Sequence, residues 1–331
     1  MKTNTIKQQS RILLLAAVMF LGTGAAWGQA EKLLGSWVRV SKAKVAVANF
    51  ELLSDGTGKS EGSPVNWKLE GDNIVFTKTV KGKETLVAYN PEILENGDLK
   101  LYPVTKDGNA DISKEALYQK KEKIDEIARI KKEAKSVASF TDTRDKKKYK
   151  SVKIDGKTWM AENLNFKTDG SVCYENKNAN CTKYGRLYTW NEAKTACPAG
   201  WHLPKKEDAE HLVKTSEKVA DMAAALKSKT GWPAKLNGTN DLGFSALPGG
   251  SRDASGEFSG ILGSTDGVAY WWVDLELEKG ENAQYISMES QGGGKGSGGD
   301  PFGSRWSPET SFSSDASLPK GSGLSVRCVQ D

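Results

Sequence analysis

Residues 31 to 118 alternate short apolar runs with turn signals. Six runs mix β-branched and aromatic residues with polar ones, and pairs such as Asp55-Gly56 and Asn96-Gly97 separate them. Short strands at this spacing are typical of a small antiparallel barrel or sandwich, and closure into a barrel would remove exposed strand edges. The pattern predicts such a β domain over residues 31–118. A barrel of this size either is filled by its own side chains or encloses a small apolar ligand.

The spacing changes at residue 119. Apolar residues now recur at steps of three and four among charged neighbours, at Ile124, Ile127, Ile130 and Ala134. This period predicts a short amphipathic helix. We therefore expect residues 119–139 to form a charged helical linker, which either spaces two domains or packs along one of them.

Residues 140–331 combine strands, helices and long loops. The runs KKYKSVKI and KTWMAENL flank Asp155-Gly156, which predicts a hairpin. A helix is expected to begin near Thr189, because Glu192 stands at the spacing of a capping box, and two further helices follow. From Trp232 onward the chain is rich in glycine and serine and contains short aromatic strands. The fold class expected for the whole chain is α+β.

The first 30 residues have the pattern of a secretory signal. Basic residues precede the apolar run 12–21, and small residues follow it at positions suited to cleavage. The run is shorter than the roughly 20 residues that a membrane-spanning helix needs, and no later segment reaches that length. We expect a cleaved signal peptide at 1–30, export from the cytoplasm and no membrane span. The sequence near the cleavage point contains no cysteine that could carry a lipid, so a lipid anchor is not expected.

Charge argues against a nucleic-acid partner. The formal net charge is +5, and loss of Lys2, Lys7 and Arg11 with the signal leaves +2. In the linker, acidic residues are interspersed with the lysines, which is typical of a solvated helix face. A nucleic-acid-binding protein usually concentrates basic residues into a patch.

Four cysteines, an even number in an exported chain, favour disulfides, for which three pairings exist. We favour Cys173–Cys181, because the two are close in the chain, and Cys197–Cys328, which would join the helical segment to the final strand. Zinc is the alternative. The spacings C-x7-C and C-x15-C, with two histidines in the chain, fit a zinc site poorly.

Catalytic groups are scarce. His202 stands between Trp201 and Leu203, which is typical of a packing histidine, and His211 falls on a charged helix face. Neither has an identifiable nucleophile partner. The glycine-rich run 292–297 fails the phosphate-loop spacing, because a glycine follows its lysine, and favours a surface loop.

Five segments of residues 140–331 carry a family resemblance: FTDTRDKKKYKSVKIDGKTWMAENLNF, CYENKNANC, YGRLYTWNEAKTACPAGWHLP, GFSALPGGSR and LSVRC. They resemble the Fibrobacter succinogenes major paralogous domain, a secreted bacterial module without a settled activity. The resemblance implies a C-type lectin-like fold, an architecture shared by the formylglycine-generating sulfatase-modifying enzymes.

A second resemblance covers residues 31–118. The opening Leu34-Gly35-Ser36-Trp37 and the later Asp55-Gly56-Thr57-Gly58 are similar to the lipocalin-like domains of secreted Bacteroidetes proteins. In those domains the early tryptophan lies across one end of the barrel. The resemblance therefore implies a lipocalin-like barrel.

Aromatic residues in the loop-rich half are candidate sugar platforms. Tyr270, Trp271 and Trp272 are consecutive, so on a strand Trp271 faces away from its neighbours, and we expect at least one of the three to lie away from the core. Trp306 lies in the same half of the chain. The alternative is that these side chains are core, where tryptophans contribute large apolar area.

Loop residues of the second domain also offer ligands for a structural calcium ion. Asn240, Asp241 and Asp253 offer oxygen ligands in loops, although such residues also occur simply as turn formers. Calcium-dependent sugar binding in C-type lectin-like domains uses a Glu-Pro-Asn or Gln-Pro-Asp triplet, and the chain has neither.

Together these features predict an exported, non-catalytic binding or adhesion protein. Polysaccharide is the expected ligand class, and the alternative is a structural or interaction role with another protein of the cell envelope. A formylglycine-type oxidase is the third hypothesis, because LSVRC resembles the terminal strand of that family. Those enzymes use a pair of reactive cysteines that bind copper, and Cys328 has no neighbouring cysteine.

Overall fold

Eight antiparallel strands, in chain order, close into a barrel, because each pairs with the next and the last pairs with the first. The strands are β1 (Gly35–Arg39), β2 (Phe50–Leu52), β3 (Thr57–Ser60), β4 (Ser63–Glu70), β5 (Asn73–Val80), β6 (Lys83–Ile93), β7 (Leu99–Pro103) and β8 (Ala116–Lys120). Helix α1 (Gly24–Leu33) precedes them, and a short 3-10 helix (Ile112–Lys114) lies before β8. Turn spacing left a barrel or a sandwich open, and the barrel implied by the lipocalin-like resemblance is confirmed.

The structure is a computed structural model. It describes residues 24–42, 47–80, 82–219, 222–233, 236–260, 267–277, 280–289 and 317–331. The apolar run of the predicted signal peptide, the glycine-rich run 292–297 and Trp306 lie outside these ranges. Within them, no helix has both the length and the apolar character needed to cross a membrane.

The barrel interior is packed with its own side chains. The ring of Phe50 lies 5.4 Å from that of Phe76 and 5.0 Å from that of Tyr118, in edge-on contacts. The Tyr118 hydroxyl donates to the Val47 carbonyl oxygen at 2.6 Å, and burial raises the pKa of this tyrosine well above its usual range. The sequence left two alternatives for this barrel, one filled by its own side chains and one that encloses a ligand. These contacts favour the filled barrel.

The predicted amphipathic helix is α2 (Lys121–Glu133). The chain divides into two compact units between Glu126 and Ile127, inside this helix. Ile130 and Ala134 are buried in an apolar cluster of the second unit. The C-terminal half of the predicted linker therefore belongs to the core of the second unit.

Besides the second part of α2 and a 3-10 helix (Tyr174–Asn176), the described residues of the second unit form four α-helices and ten strands. The helices are α3 (Asn178–Tyr184), α4 (Trp190–Ala196), α5 (Lys206–Val219) and α6 (Met222–Leu226). The strands are β9 (Val137–Thr141), β10 (Lys148–Ile154), β11 (Lys157–Met160), β12 (Trp201–His202), β13 (Ser251–Arg252), β14 (Phe258–Ser259), β15 (Val268–Glu276), β16 (Asn282–Glu289), β17 (Ser317–Pro319) and β18 (Val329–Gln330).

These strands form a five-stranded sheet in the order β12-β18-β11-β10-β9, a three-stranded sheet in the order β15-β16-β17, and the pair β13-β14. The hairpin β10–β11 turns at Asp155 and Gly156, both with positive φ, as predicted. The capping box of Thr189 and Glu192 begins α4, also as predicted.

Strand β15 is covered on both faces. Ala269, Trp271 and Val273 belong to one apolar cluster, while Tyr270 and Trp272 belong to another. Because side chains of a strand alternate between faces, a strand between two clusters buries every aromatic residue it carries. The second unit therefore has two core layers that meet across the three-stranded sheet.

Both predicted disulfides are present. The sulfur atoms of Cys173 and Cys181 lie 2.03 Å apart, and those of Cys197 and Cys328 lie 2.09 Å apart. The second bridge joins the end of α4 to the residue before β18, across 131 positions of the chain.

The two bridges are expected to differ in their effect on stability. Chain entropy predicts that removing a bridge across 131 residues costs about 5 kcal/mol and one across 8 residues about 2.5 kcal/mol. The Cys197→Ala/Cys328→Ala variant should therefore lose about twice the free energy of unfolding lost by Cys173→Ala/Cys181→Ala, as measured by urea denaturation. Equal losses would contradict this account.

Candidate functional site

A polar cleft of about 430 Å³ opens on the second unit. Its walls come from β10, from the segment 161–165 that follows β11, from the end of α3, and from loop residues between 228 and 247. Pockets of this size are typical of small-molecule sites. The cleft brings together parts of the chain that are as much as 180 residues apart.

Arg327 lies at the base of the cleft and is only 1% exposed. Its Nε donates to Asn163 Oδ1 at 2.8 Å, and its Nη2 donates to the Ser245 carbonyl oxygen at 3.0 Å. Its Nη1 donates to the Phe244 carbonyl oxygen, and the guanidinium carbon lies 4.1 Å from the Phe244 ring centroid. Burial lowers the pKa of Arg327 to about 9, and the negative charge of Glu162 opposes this shift.

Asn163 satisfies all the hydrogen-bonding capacity of its side-chain amide. Its Oδ1 accepts from Arg327 Nε and from Trp271 Nε1, the latter at 2.9 Å. Its Nδ2 donates to the Tyr184 carbonyl oxygen at 2.7 Å and to Ser325 Oγ at 3.2 Å. An amide has two donor hydrogens and two acceptor lone pairs, and here each has a partner. Asn163 therefore joins four separate segments of the unit.

Lysines surround the mouth of the cleft. Lys147, Lys148, Lys150 and Lys183 are exposed and line it. The Lys183 ammonium lies 4.8 Å from the Tyr184 ring centroid. Lys150 contacts Glu162, the carboxylate of the lining, through its backbone N–H at 2.9 Å and through its ammonium at 3.9 Å.

Tyr149 forms part of the wall. Its hydroxyl accepts a hydrogen bond from the Asn165 backbone N–H at 3.1 Å. Burial raises the pKa of Tyr149 to about 12, so the phenol stays protonated at neutral pH. The hydroxyl can therefore act as a hydrogen-bond donor. Amide, hydroxyl and ammonium groups of this kind can bind hydroxyl-rich or anionic ligands.

The structure corrects the expectation for the consecutive aromatic residues. Tyr270, Trp271 and Trp272 are only 8%, 2% and 0% exposed. Trp272 Nε1 donates to the Tyr188 carbonyl oxygen at 2.8 Å, and Trp271 Nε1 donates to Asn163. The expectation that one of them faces outward is wrong, because both faces of β15 are covered. Trp306, the fourth candidate, lies outside the described residues.

The calcium candidates have local roles. The Asn240 side chain exchanges two hydrogen bonds with Ser245, and Asp241 pairs with Lys131 at 2.9 Å. Asp253 Oδ1 accepts backbone N–H groups from the turn that follows it. In the described part of the chain, no three His, Cys, Asp or Glu side chains are grouped closely enough to hold a metal ion.

His202 is not surrounded by apolar packing alone. Its Nδ1 lies 2.6 Å from Asp331 Oδ1, and its Nε2 lies 3.1 Å from Asp208 Oδ2. His211 is half-buried, with Nε2 3.5 Å from Asp155 Oδ2. Neither histidine lines the cleft.

Sequence reasoning missed Asn163 and Arg327. Each had a visible signal, because Asn163 precedes the fully buried Leu164, and Arg327 stands between the fully buried Val326 and Cys328. When a polar residue interrupts an apolar run outside a turn, it is a candidate member of a buried hydrogen-bond network.

Fold and site together define a two-unit protein, in which one unit is a β-barrel and the other combines helices and antiparallel strands, contains two disulfides and has a polar cleft. Residues 29–121 match the family model described as lipocalin-like, and residues 152–330, more than half of the chain, match that of the Fibrobacter succinogenes major domain. The chain belongs to the Fibrobacter succinogenes major domain family. No curated protein and no solved structure gives a match.

The network around Asn163 is expected to behave as one unit. Asn163→Ala leaves buried Arg327 and Trp271 donors unpaired and should lower the free energy of unfolding by about 3 kcal/mol. In an Arg327→Met background the same change should cost at least about 1 kcal/mol less, because the charged donor is absent. Urea denaturation of the four chains measures the coupling. Additive losses would show that the two residues act independently.

Proposed function

We propose that this chain is an exported, non-catalytic binding protein that holds polysaccharide in the cleft of its second unit. The observation that carries the proposal is the cleft lining, where hydroxyl, amide and ammonium groups lie on a base fixed by the Asn163 network. A preorganised site loses little side-chain freedom when a ligand binds. Sugar hydroxyls both donate and accept hydrogen bonds, and the cleft offers partners for each role.

A C-type lectin-like architecture of the second unit is part of the proposal. Helices α3 to α5 come early in the unit, long connections follow, and the chain returns to the five-stranded sheet through β18. The Cys197–Cys328 bridge ties the end of α4 to that last strand. These features support the assignment through order and connectivity.

Export is supported by the two disulfides, since such bonds persist in oxidising compartments. A signal peptide at residues 1–30, cleaved on export, belongs to the same proposal. The protein then acts outside the cytoplasm, where polysaccharides are available to it.

Retention on insoluble polysaccharides tests this function. The wild-type chain should be retained by at least one member of a broad glycan panel. Thr182→Trp should weaken retention at least tenfold, because Thr182 is exposed, lines the cleft, and would place an indole in it.

Thr195→Trp is the matched control. Thr195 is also an exposed helical threonine whose hydroxyl bonds a backbone carbonyl of its own helix, but it lies outside the cleft lining. This variant should bind like the wild type. Lack of retention across the panel, together with co-purification of an envelope protein, would favour the structural role instead.

Thiol counting separates the binding protein from a formylglycine-type oxidase. All four cysteines are bonded in pairs, so the unreduced, denatured chain should react with no thiol reagent. An oxidase of that type needs a reactive cysteine pair. A count of two thiols per chain would return the oxidase to consideration.

A further inference from the structure

The cleft concentrates positive charge. Among the described residues, five cationic side chains, including the buried Arg327, line it, and Glu162 is the one carboxylate of the lining. The whole chain is nearly balanced, with 47 basic and 42 acidic residues. The excess is therefore a local property of this cleft.

Some of these cations are compensated by neighbours. The Lys147 ammonium lies 3.3 Å from Asp145 Oδ2, and the Lys150 ammonium lies 3.9 Å from Glu162 Oε1. Lys148, Lys183 and Arg327 form no ion pair with a carboxylate of the described residues. Three positive charges at one cleft thus lack an acidic partner within the described structure.

Arg327 differs from the lysines in its surroundings. Its charge is held by carbonyl and amide oxygens and by two ring faces, with the Trp271 ring centroid 5.5 Å from the guanidinium carbon. Screening by water is weak at a buried site, so the field of this charge at the base of the cleft is stronger than that of an exposed lysine. An anion that enters the cleft would be attracted by this positive charge.

We propose that the cleft selects acidic polysaccharides. Lys148 and Lys183 contact the anionic groups of the sugar, and the positive charge of Arg327 attracts these groups from the base of the cleft. This inference rests on the proposed function and names the ligand class of the same site. The anionic groups are carboxylates or sulfates, which share the chemistry of a delocalised oxyanion.

The remaining lining favours a sugar over a nucleic acid. Hydroxyl groups from Thr182, Ser228 and Thr230 line the cleft and suit a hydroxylated ring. Sites for single-stranded nucleic acid combine contacts to the phosphates with aromatic rings on which the bases stack. The two tyrosines of the lining, Tyr149 and Tyr184, are buried and present no open face for such stacking.

The test compares binding to oligogalacturonate with binding to the same oligosaccharide after methyl esterification, by calorimetry with the full mature chain. Esterification removes the charge and keeps the sugar. The unesterified ligand should bind at least tenfold more tightly, and its affinity should fall as salt is raised. A sulfated dextran set against plain dextran forms the second arm and tells sulfate from carboxylate preference.

Charge variants locate the site. Lys148→Gln/Lys183→Gln should weaken binding of the preferred acidic glycan about tenfold. Because both side chains are exposed, the substitutions should leave the core intact. Lys206→Gln/Lys214→Gln removes the same charge from α5, outside the lining, and should bind like the wild type.

The outcomes separate this inference from the function on which it rests. Equal affinity for charged and esterified ligands, abolished by Thr182→Trp, would keep glycan binding and overturn the acidic preference. Binding of a DNA oligonucleotide as tightly as any acidic glycan would show an unselective polyanion site and overturn the inference. Absence of binding to every glycan would overturn both.

Discussion

The hydrogen bonds of Asn163 are the constraint on which the second unit depends. One amide joins the segment after β11, the end of α3, strand β15 and the terminal segment that carries Arg327. Inside a protein such bonds are strong, and a partner left unpaired there is costly. Each of the four segments is consequently held in one position relative to the others. Three of them, the segment after β11, the end of α3 and the terminal segment, contribute to the lining of the cleft.

The terminal segment is held from several directions. Arg327 points into the Asn163 network, while Cys328, the next residue, is bonded to Cys197. Along the backbone, the carbonyls of Val326 and Cys328 accept from the N–H groups of Leu164 and Met160. A disulfide restricts the unfolded chain, whereas the buried hydrogen bonds fix the folded one, so the two act on different sides of the folding equilibrium.

The lipocalin-like resemblance implied the barrel. Local signals in the sequence were sufficient for the antiparallel strands of the first unit, the β10–β11 hairpin, the capping box at Thr189 and both disulfides. Each of these depends on neighbouring residues or on the count of cysteines. The burial of Tyr270, Trp271 and Trp272 depends instead on what covers the two faces of β15, and that is decided by segments far along the chain. The cleft was out of reach for the same reason, since its lining runs from Lys147 to Arg327. Arg327 stands in an apolar run, but its residue type argued against burial, because arginine is rarely buried without an acidic partner.

Among the described residues, Arg327 has no acidic partner, and this is relevant to the function of the cleft. A buried cation without a carboxylate is an expensive way to hold a core together, and apolar replacements of buried charges are often as stable or more so. An apolar side chain at this position would still contact the rings of Phe244 and Trp271, but the carbonyl oxygens of Phe244 and Ser245 would lose the donors that Arg327 supplies. A neutral donor could supply such hydrogen bonds without a buried charge. The positive charge, at the base of a cleft lined by lysines, is therefore the part of this residue that the proposed anion, held between Lys148, Lys183 and the guanidinium, would use.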